Sequence, residues 1–349
     1  MKLKKLFPCI IILLCLNSFG IHEISAENSD SNNKYRNPII NESAPDPTVI
    51  RAKDGYFYLY GTEDTRNTPI YQSKDLVHWE FVGTAFTDAT RPQWKDFKNG
   101  NLWAPEIRYF NKKYVLYYSY AVWGNEHDTG VGVATSDSPK GPFTDHGRIL
   151  NTEMTGVRNC IDQFLYQQGK KKYLFWGSFH GIYAVELTKD GLAMKTDKNG
   201  NINKRLIAGG PEPCAYEGVN IYKKGKYYYL FASTGSCCEG SRSTYQTVVG
   251  RSKNLFGPYL DKQGRPMTSN HHEVIIKGNE KWAGPGHNSI IIKDDAGQEW
   301  IIYHGYKKEE ADKGRVILMD RLQWSEDGWP YINEENAPSI ESEVPFIKK

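Results

Sequence analysis

Short apolar and aromatic runs alternate with polar turns along most of the chain, and almost no stretch carries the 3.6-residue period of a helix. One phrase recurs five times: an acidic residue or His, an apolar strand, a charged turn bearing Gly or Lys, then an aromatic strand. Asp46 leads the first copy, with a strand at 46–50, a turn at 53–55 and an aromatic run at 56–60. Glu106 leads the second (106–110, 111–113, 114–118) and Asp162 the third (162–166, 169–172, 173–176). Glu217 leads the fourth (217–222, 224–225, 227–231) and His287 the fifth (287–292, 294–297, 299–303). Successive leaders stand 60, 56, 55 and 70 residues apart, and most copies continue into a second hairpin, such as 70–73 with 78–81 or 248–252 with 257–259. Four short strands per copy, five times over, predict an all-β, single-domain, five-bladed β-propeller over 37–340; a β-sandwich that merely shares hairpin grammar would not repeat the phrase.

In a propeller the first strand of each blade lines the axis, so its leading residue comes to one mouth of the channel. Asp46, Glu106, Asp162, Glu217 and His287 are therefore expected in one ring, although the sequence scatters them. Four acids around a small opening repel one another and raise the cost of folding unless they are used. The bland alternative is a bound cation or the capping of strand ends.

Composition narrows the class. With 39% hydrophobic and 24% charged residues the chain is globular rather than disordered. A formal charge of +3 offers no concentrated basic field for nucleic acid. The 23 Tyr, 14 Phe and 9 Trp suit half-buried strands and sugar-stacking platforms alike. Residues 1–26 read as a secretory signal peptide: lysines at 2, 4 and 5, an apolar run, then Ile24-Ser25-Ala26. A lipid anchor at Cys15 is disfavoured because Leu14 precedes it. The expected product is a secreted or periplasmic monomer without a membrane span, with a flexible segment at 27–36 and a C-terminal tail at 341–349. Cys160, Cys214, Cys237 and Cys238 fit neither a disulfide framework nor a zinc motif, and the adjacent pair is expected as two buried thiols. No phosphate cradle or metal-binding helix motif is present in the sequence, so the chemistry requires no cofactor.

Carboxylates facing each other across a cleft, with aromatic rings nearby, suit glycosidic hydrolysis: one acid protonates the leaving oxygen and a second carboxylate activates water. Blades across the ring would set the two ~6.5–9.5 Å apart, the spacing for inversion. Here the chain resembles glycoside hydrolase family 43, the five-bladed arabinanases, α-L-arabinofuranosidases and β-xylosidases, from about Asn37 to Ile340. The resemblance makes Asp46, in Ala44-Pro45-Asp46-Pro47-Thr48, the general base; Asp162, in Asn159-Cys160-Ile161-Asp162, the residue that raises the acid's pKa; and Glu217, in Tyr216-Glu217-Gly218, the general acid. Cys160 and Gln163 depart from the family's small residue and Pro, which bears on subsite shape rather than on catalysis. Glu106, in Trp103-Ala104-Pro105-Glu106, takes a structural or substrate-positioning part. His287, in Gly284-Pro285-Gly286-His287, is similar to the axial His of the arabinanase branch, which implies a structural calcium or sodium ion, largely water-coordinated, near it. Arg315 resembles an Arg that holds a sugar hydroxyl, and Trp103, Trp123 and Phe179 are candidate stacking platforms.

Ser236-Cys237-Cys238-Glu239-Gly240 looks like the endo-arabinanase branch in particular. The implied substrate is plant cell-wall α-1,5-arabinan and its oligosaccharides. The alternatives are an exo-acting α-L-arabinofuranosidase or β-xylosidase on arabinoxylan, and a non-catalytic polysaccharide-binding propeller. The last is disfavoured by the intact Asp46, Asp162 and Glu217.

Overall fold

A computed structural model describes residues 33–210 and 214–348. The expected signal peptide and Cys15 lie outside the described residues. Five antiparallel sheets follow one another along the chain. Blade 1 consists of Thr48–Arg51, Phe57–Tyr60, Pro69–Ser73 and Trp79–Thr84. Blade 2 comprises Asn101–Phe110, Lys113–Val122, Asn125–Ser136 and Thr144–Asn151. Blade 3 is built from Phe164–Gln168, Lys171–Trp176, Ile182–Glu186 and Arg205–Ala208. Blade 4 follows with Glu217–Lys224, Tyr227–Thr234, Gln246–Ser252 and Glu273–Ile276. In blade 5 both Trp282–Gly286 and Ile292–Lys293 pair with Glu299–Lys307, followed by Val316–Trp324 and Pro330–Tyr331. The fold is the five-bladed propeller expected, and its inner fifth strand starts earlier than the 287–292 run suggested.

The turns explain the hairpins. Asn111 and Lys112 both hold positive φ (51° and 62°), the pattern of a type I′ turn that matches strand twist. Gly55 at φ 87° serves blade 1, where the Asp54 carboxylate accepts the Tyr56 N–H at 3.0 Å.

The core lies between blades rather than at the axis. One apolar cluster joins blades 1 and 2 through Tyr58, Tyr60, Leu116 and Tyr118. Others join blades 2 and 3 (Tyr117, Val133, Leu174, Trp176) and blades 3 and 4 (Phe175, Ala184, Tyr228, Leu230). Phe231, Val249, Trp282 and Tyr303 link blades 4 and 5. The last seam, blade 5 to blade 1, holds Phe57, Leu59, Trp300 and Ile302 and also takes in Tyr35, Ile39 and Ile40 from the segment before blade 1. Most of the aromatic excess is spent on these seams. Lys34–Arg36 pairs with Glu341–Glu343, so the expected N-terminal segment and C-terminal tail contribute one short ribbon.

Candidate active site

The chain enters each blade through a residue in the left-handed region: Asp46 at φ 56°, Ala104 at 41°, Asp162 at 59°, Gly218 at 61° and His287 at 50°. Four are not the strain-free glycine, so the surrounding packing must hold them there. This register corrects the expected ring in blade 2. Ala104 holds the position that Asp46 and Asp162 hold in their blades, because the pairing shifts between Trp103 and Glu106. Glu106 lies two residues deeper and is buried in the wall. It accepts hydrogen bonds from Thr48 Oγ1 and the Leu165 N–H (both 3.1 Å) and pairs with Arg108. It ties together blades 1, 2 and 3 and does not line the cavity at the mouth.

That cavity, about 510 Å³, is lined by Asp46, Asp162, Glu217, His287 and Arg315, with Trp103 and Trp123 of blade 2 and Cys237 and Cys238 of blade 4 on its walls. Thr62, Asp64, Ile161, Tyr306 and Gly314 complete it. Trp103 and Trp123 meet edge to face at 6.2 Å, and Trp123 is 71% exposed, a ring available to solvent or sugar. Phe179 is absent from the lining. Its backbone N–H donates to Tyr216 O at 2.9 Å, so it ties blade 3 to the residue before Glu217. A separate hollow of about 430 Å³ on blade 3 has Glu186 paired with Lys195 and Asp197 occupied in its own turn, which leaves no convergent chemistry.

The carboxylates sit in opposed electrostatic settings. Burial pushes Asp46 up, but Arg315 Nη1 at 3.2 Å, then His287 and His304, outweigh it and hold the group well below the usual carboxylate range. Thr62 Oγ1 donates to its other oxygen at 2.6 Å. Asp162 is driven well above that range by burial, by Glu217 and by Asp46. Burial raises Glu217 too, against hydrogen bonding from Ser178. Asp162 and Glu217 titrate as a pair, so their raised affinity for a proton belongs to both. Burial lowers the imidazoles, His304 to about 4, so both are neutral near pH 7 and their approaches to Asp46 (3.4 Å for His287, 3.2 Å for His304) are not ion pairs. One carboxylate held ionised and one pair with raised proton affinity therefore face a single space.

Glycine is required after Glu217. The Gly218 N–H donates to Asp162 Oδ2 at 3.0 Å from a left-handed backbone, and a Cβ there would stand 3.2 Å from His287 Nδ1.

A second ring, which sequence reasoning missed, supports the first. Each blade's second strand or the turn just after it places a hydrogen-bonding side chain on the leading segment of the next blade. Thr62 Oγ1 accepts the Ala104 N–H at 2.8 Å, Ser119 Oγ the Asp162 N–H at 3.0 Å and Ser233 Oγ the His287 N–H at 2.8 Å. His304 Nδ1 accepts the Asp46 N–H at 3.0 Å, which closes the circle. At blade 3 the rule changes: Ser178 Oγ donates to Glu217 Oε2 at 2.6 Å, to the side chain rather than the backbone. The available signal was a Ser, Thr or His at or shortly after each aromatic run, in Tyr60-Gly61-Thr62, Tyr118-Ser119, Trp176-Gly177-Ser178, Ala232-Ser233 and Tyr303-His304.

Cys237 and Cys238 are half-buried and joined by a disulfide, which corrects the expectation of two buried thiols; Cys160 and Cys214 are both buried. Arg315, expected to hold a sugar hydroxyl, is largely buried against Asp46.

The family model for glycosyl hydrolases family 43 matches residues 35–330. An extracellular exo-alpha-(1→5)-L-arabinofuranosidase of Cellvibrio japonicus is 32% identical over 85% of this chain and 88% of its own. An extracellular endo-alpha-(1→5)-L-arabinanase of Bacillus subtilis is 32% identical over 83% of this chain and 88% of its own. Among solved structures, an alpha-L-arabinanase of Cellvibrio cellulosa complexed with arabinohexaose superposes with a TM-score of 0.75 at 31% identity, covering 84% of this chain and 96% of that one. Among the described residues no helix is long and apolar enough to cross a membrane.

Proposed function

The chain belongs to glycosyl hydrolases family 43 and is thus a glycoside hydrolase of an inverting family, and from that premise we propose that it cleaves α-1,5-linked L-arabinofuranosyl bonds in arabinan. The observation that carries the proposal is the split of protonation inside one cavity. Asp46 is held ionised by Arg315, while the Asp162–Glu217 pair holds a proton above the ordinary range. Asp46 takes a proton from the attacking water, and Glu217 gives its proton to the departing glycosidic oxygen. Asp162 has two parts: it shares with Glu217 the tightly held proton that keeps the acid's pKa up, and its Oδ2 fixes the Gly218 backbone beside it. Arg315 keeps Asp46 a weak but ionised base, and Trp103 and Trp123 offer faces to the sugar rings. The names of the relatives support this substrate, and their extracellular character supports export, as does a disulfide, which persists in oxidising compartments.

An exo-acting reading stays beside the internal one because the Cellvibrio japonicus relative is named for exo action. An ion beside His287 fits only as a water-held one: among the described residues no three His, Cys, Asp or Glu side chains group as metal ligands. The buried side-chain oxygen of Asn288, next in sequence to His287 and without a partner among the described residues, is an acceptor open to such a water shell.

Product analysis on linear debranched arabinan, with aryl arabinofuranoside and aryl xyloside alongside, tests the proposal. Wild type is expected to release arabino-oligosaccharides, and Glu217→Gln to lose at least ~10²-fold in kcat, the lower end of what general acid catalysis contributes. Monosaccharide as the sole early product selects the exo reading. Xyloside turnover without arabinan turnover refutes the substrate, and no turnover on any of the three refutes the enzyme.

A further inference from the structure

Of the features lining the cavity, the Cys237–Cys238 disulfide has no part in the chemistry described above. It is also a poor staple. A cross-link stabilises mainly by restricting the unfolded chain, and the effect grows with the length of the loop closed. Adjacent residues enclose almost no loop, so the bond contributes little in that way.

Its placement is more telling. Both half-cystines face the cavity from blade 4, across the ring from Trp103 and Trp123 of blade 2. The segment carrying them is braced on itself. Ser236 and Thr244 exchange hydrogen bonds (3.0 and 3.2 Å), the Tyr245 N–H donates to Ser236 O at 3.0 Å, and the Glu239 N–H donates to Ser243 Oγ at 2.8 Å. It also rests on blade 5: a Cβ on Gly240 would stand 3.7 Å from Ala311 Cβ, in the turn leading to Gly314 and Arg315. Joined as a disulfide, two thiols lose their donors and their rotamer freedom. They become a compact, polarisable, apolar surface held still by its loop.

We propose that the Cys237–Cys238 disulfide is a sugar-binding wall: a subsite that packs against the C–H face of a pentose ring on the blade 4 side of the carboxylates, opposite the Trp103–Trp123 wall. The inference rests on the arabinan reading for the identity of the sugar. A substrate held by both walls spans the three carboxylates from blade 2 to blade 4, so the contact is felt by oligosaccharides long enough to reach both.

The test compares full-length wild type with the Cys237→Ser/Cys238→Ser double variant on arabinobiose through arabinohexaose. Binding of arabinohexaose is measured by calorimetry in a Glu217→Gln background with and without the cysteine changes. The expected result is about a tenfold rise in KM and Kd for the longer oligosaccharides, with a smaller change in kcat and a smaller effect on arabinobiose. KM and Kd within twofold of wild type at every length overturn the proposal. Should the double variant misfold, wild type is treated with a phosphine, which takes up oxygen from water as the S–S bond opens to two thiols. The same loss of affinity, recovered on reoxidation, is expected, and unchanged affinity after verified reduction overturns the subsite. Xylo-oligosaccharides are run in parallel. If wild type takes them and refuses arabino-oligosaccharides, the substrate reading fails, and the same comparison on xylo-oligosaccharides still decides the subsite. If wild type takes neither, both are overturned.

Discussion

Three carboxyl groups share one cavity, and what separates their roles is the residue beside each. Asp46 has Arg315 within 3.2 Å, whereas Glu217 shares its site with the raised carboxyl of Asp162 and takes hydrogen bonds from the Ser178 hydroxyl, at 2.6 Å, and from Tyr245. That arrangement costs stability, and the sign is fixed by the direction of the shift. Glu217 binds its proton more tightly folded than unfolded, so its contribution is favourable at low pH and is lost as pH rises through the folded value. Glu217→Gln removes the cost of burying a carboxyl whose pKa is raised while leaving an oxygen for Ser178. The variant should therefore melt higher than wild type at pH 7, by about 2–4 °C if roughly 1 kcal/mol is recovered. The gain should vanish below about pH 4, where the carboxyl is protonated in both states. Asp46 is depressed, so its stabilisation is present above the unfolded value and lost as pH falls below it. Scanning calorimetry between about pH 2 and 8 reads both trends. A Glu217→Gln protein less stable than wild type at pH 7 would contradict the electrostatic account.

At the scale of strands and turns, the latch from one blade to the next suggests a use for its exceptional member. Ser119 and Ser233 hold backbone and touch none of the three carboxylates, so their loss should act mainly on stability, whereas Thr62 and His304 also reach the Asp46 carboxylate. Ser178 holds the carboxylate of Glu217 and favours its ionised form. Ser178→Ala should move the alkaline limb of the kcat/KM profile to higher pH and lower kcat about tenfold at the optimum, whereas Ser233→Ala should leave the limb in place. A limb that does not move with Ser178→Ala would reduce Ser178 to packing. The same elements mark what the sequence could disclose. Strand and turn order was legible because each hairpin is a local pattern, a polar turn between runs of alternating burial. The cluster of Asp46, Asp162, Glu217 and His287 was legible because the repeat supplied the register. Glu106 was misplaced because its blade shifts pairing by a bulge between Trp103 and Glu106, which residue type does not encode. Phe179 was chosen for its ring, while its neighbour Ser178 makes the contact. The disulfide is not legible because four cysteines in a chain of this length form no disulfide framework, and their spacing says nothing about where the loop puts the adjacent pair.

For the whole molecule the question is how five blades become a closed ring, and the seam between blades 5 and 1 answers it with the chain's own beginning. Pro330–Tyr331 pairs with only two residues, Gln323 and Trp324, of the strand Val316–Trp324. The near end of that strand is covered by residues 37–44: the Ile39 N–H donates to Ile317 O at 2.9 Å, the Ile317 N–H to Ile40 O at 3.0 Å, and the Ala44 N–H to Arg315 O at 3.2 Å. Asn37 is the clasp. Its amide donates to Met319 O and Ser339 O, both at 2.9 Å, and its side-chain oxygen accepts the Met319 N–H at 3.0 Å, all within a site where Asn37 is buried. Tyr35 adds a hydroxyl bond to Met319 O at 2.6 Å and an edge-to-face contact with Trp300. Because Asp46 follows the strip directly and Arg315 is bonded to it, loosening the seam should reach the base as well as the fold. Asn37→Ala strands the Met319 N–H and the Ser339 carbonyl at a cost of about 1–3 kcal/mol, so the melting temperature should fall by roughly 2–10 °C. Glu341→Ala, which removes only exposed ion pairs with Lys34 and Arg36, should change it by less than about 2 °C. Hydrogen exchange should then show faster opening at Ile317 and Asp46 in Asn37→Ala, with the amides of blade 3 unaffected. If Asn37→Ala melts with Glu341→Ala, or if protection is lost evenly around the ring, closure does not depend on this clasp and must come from the apolar seam of Phe57, Trp300 and Ile302 alone.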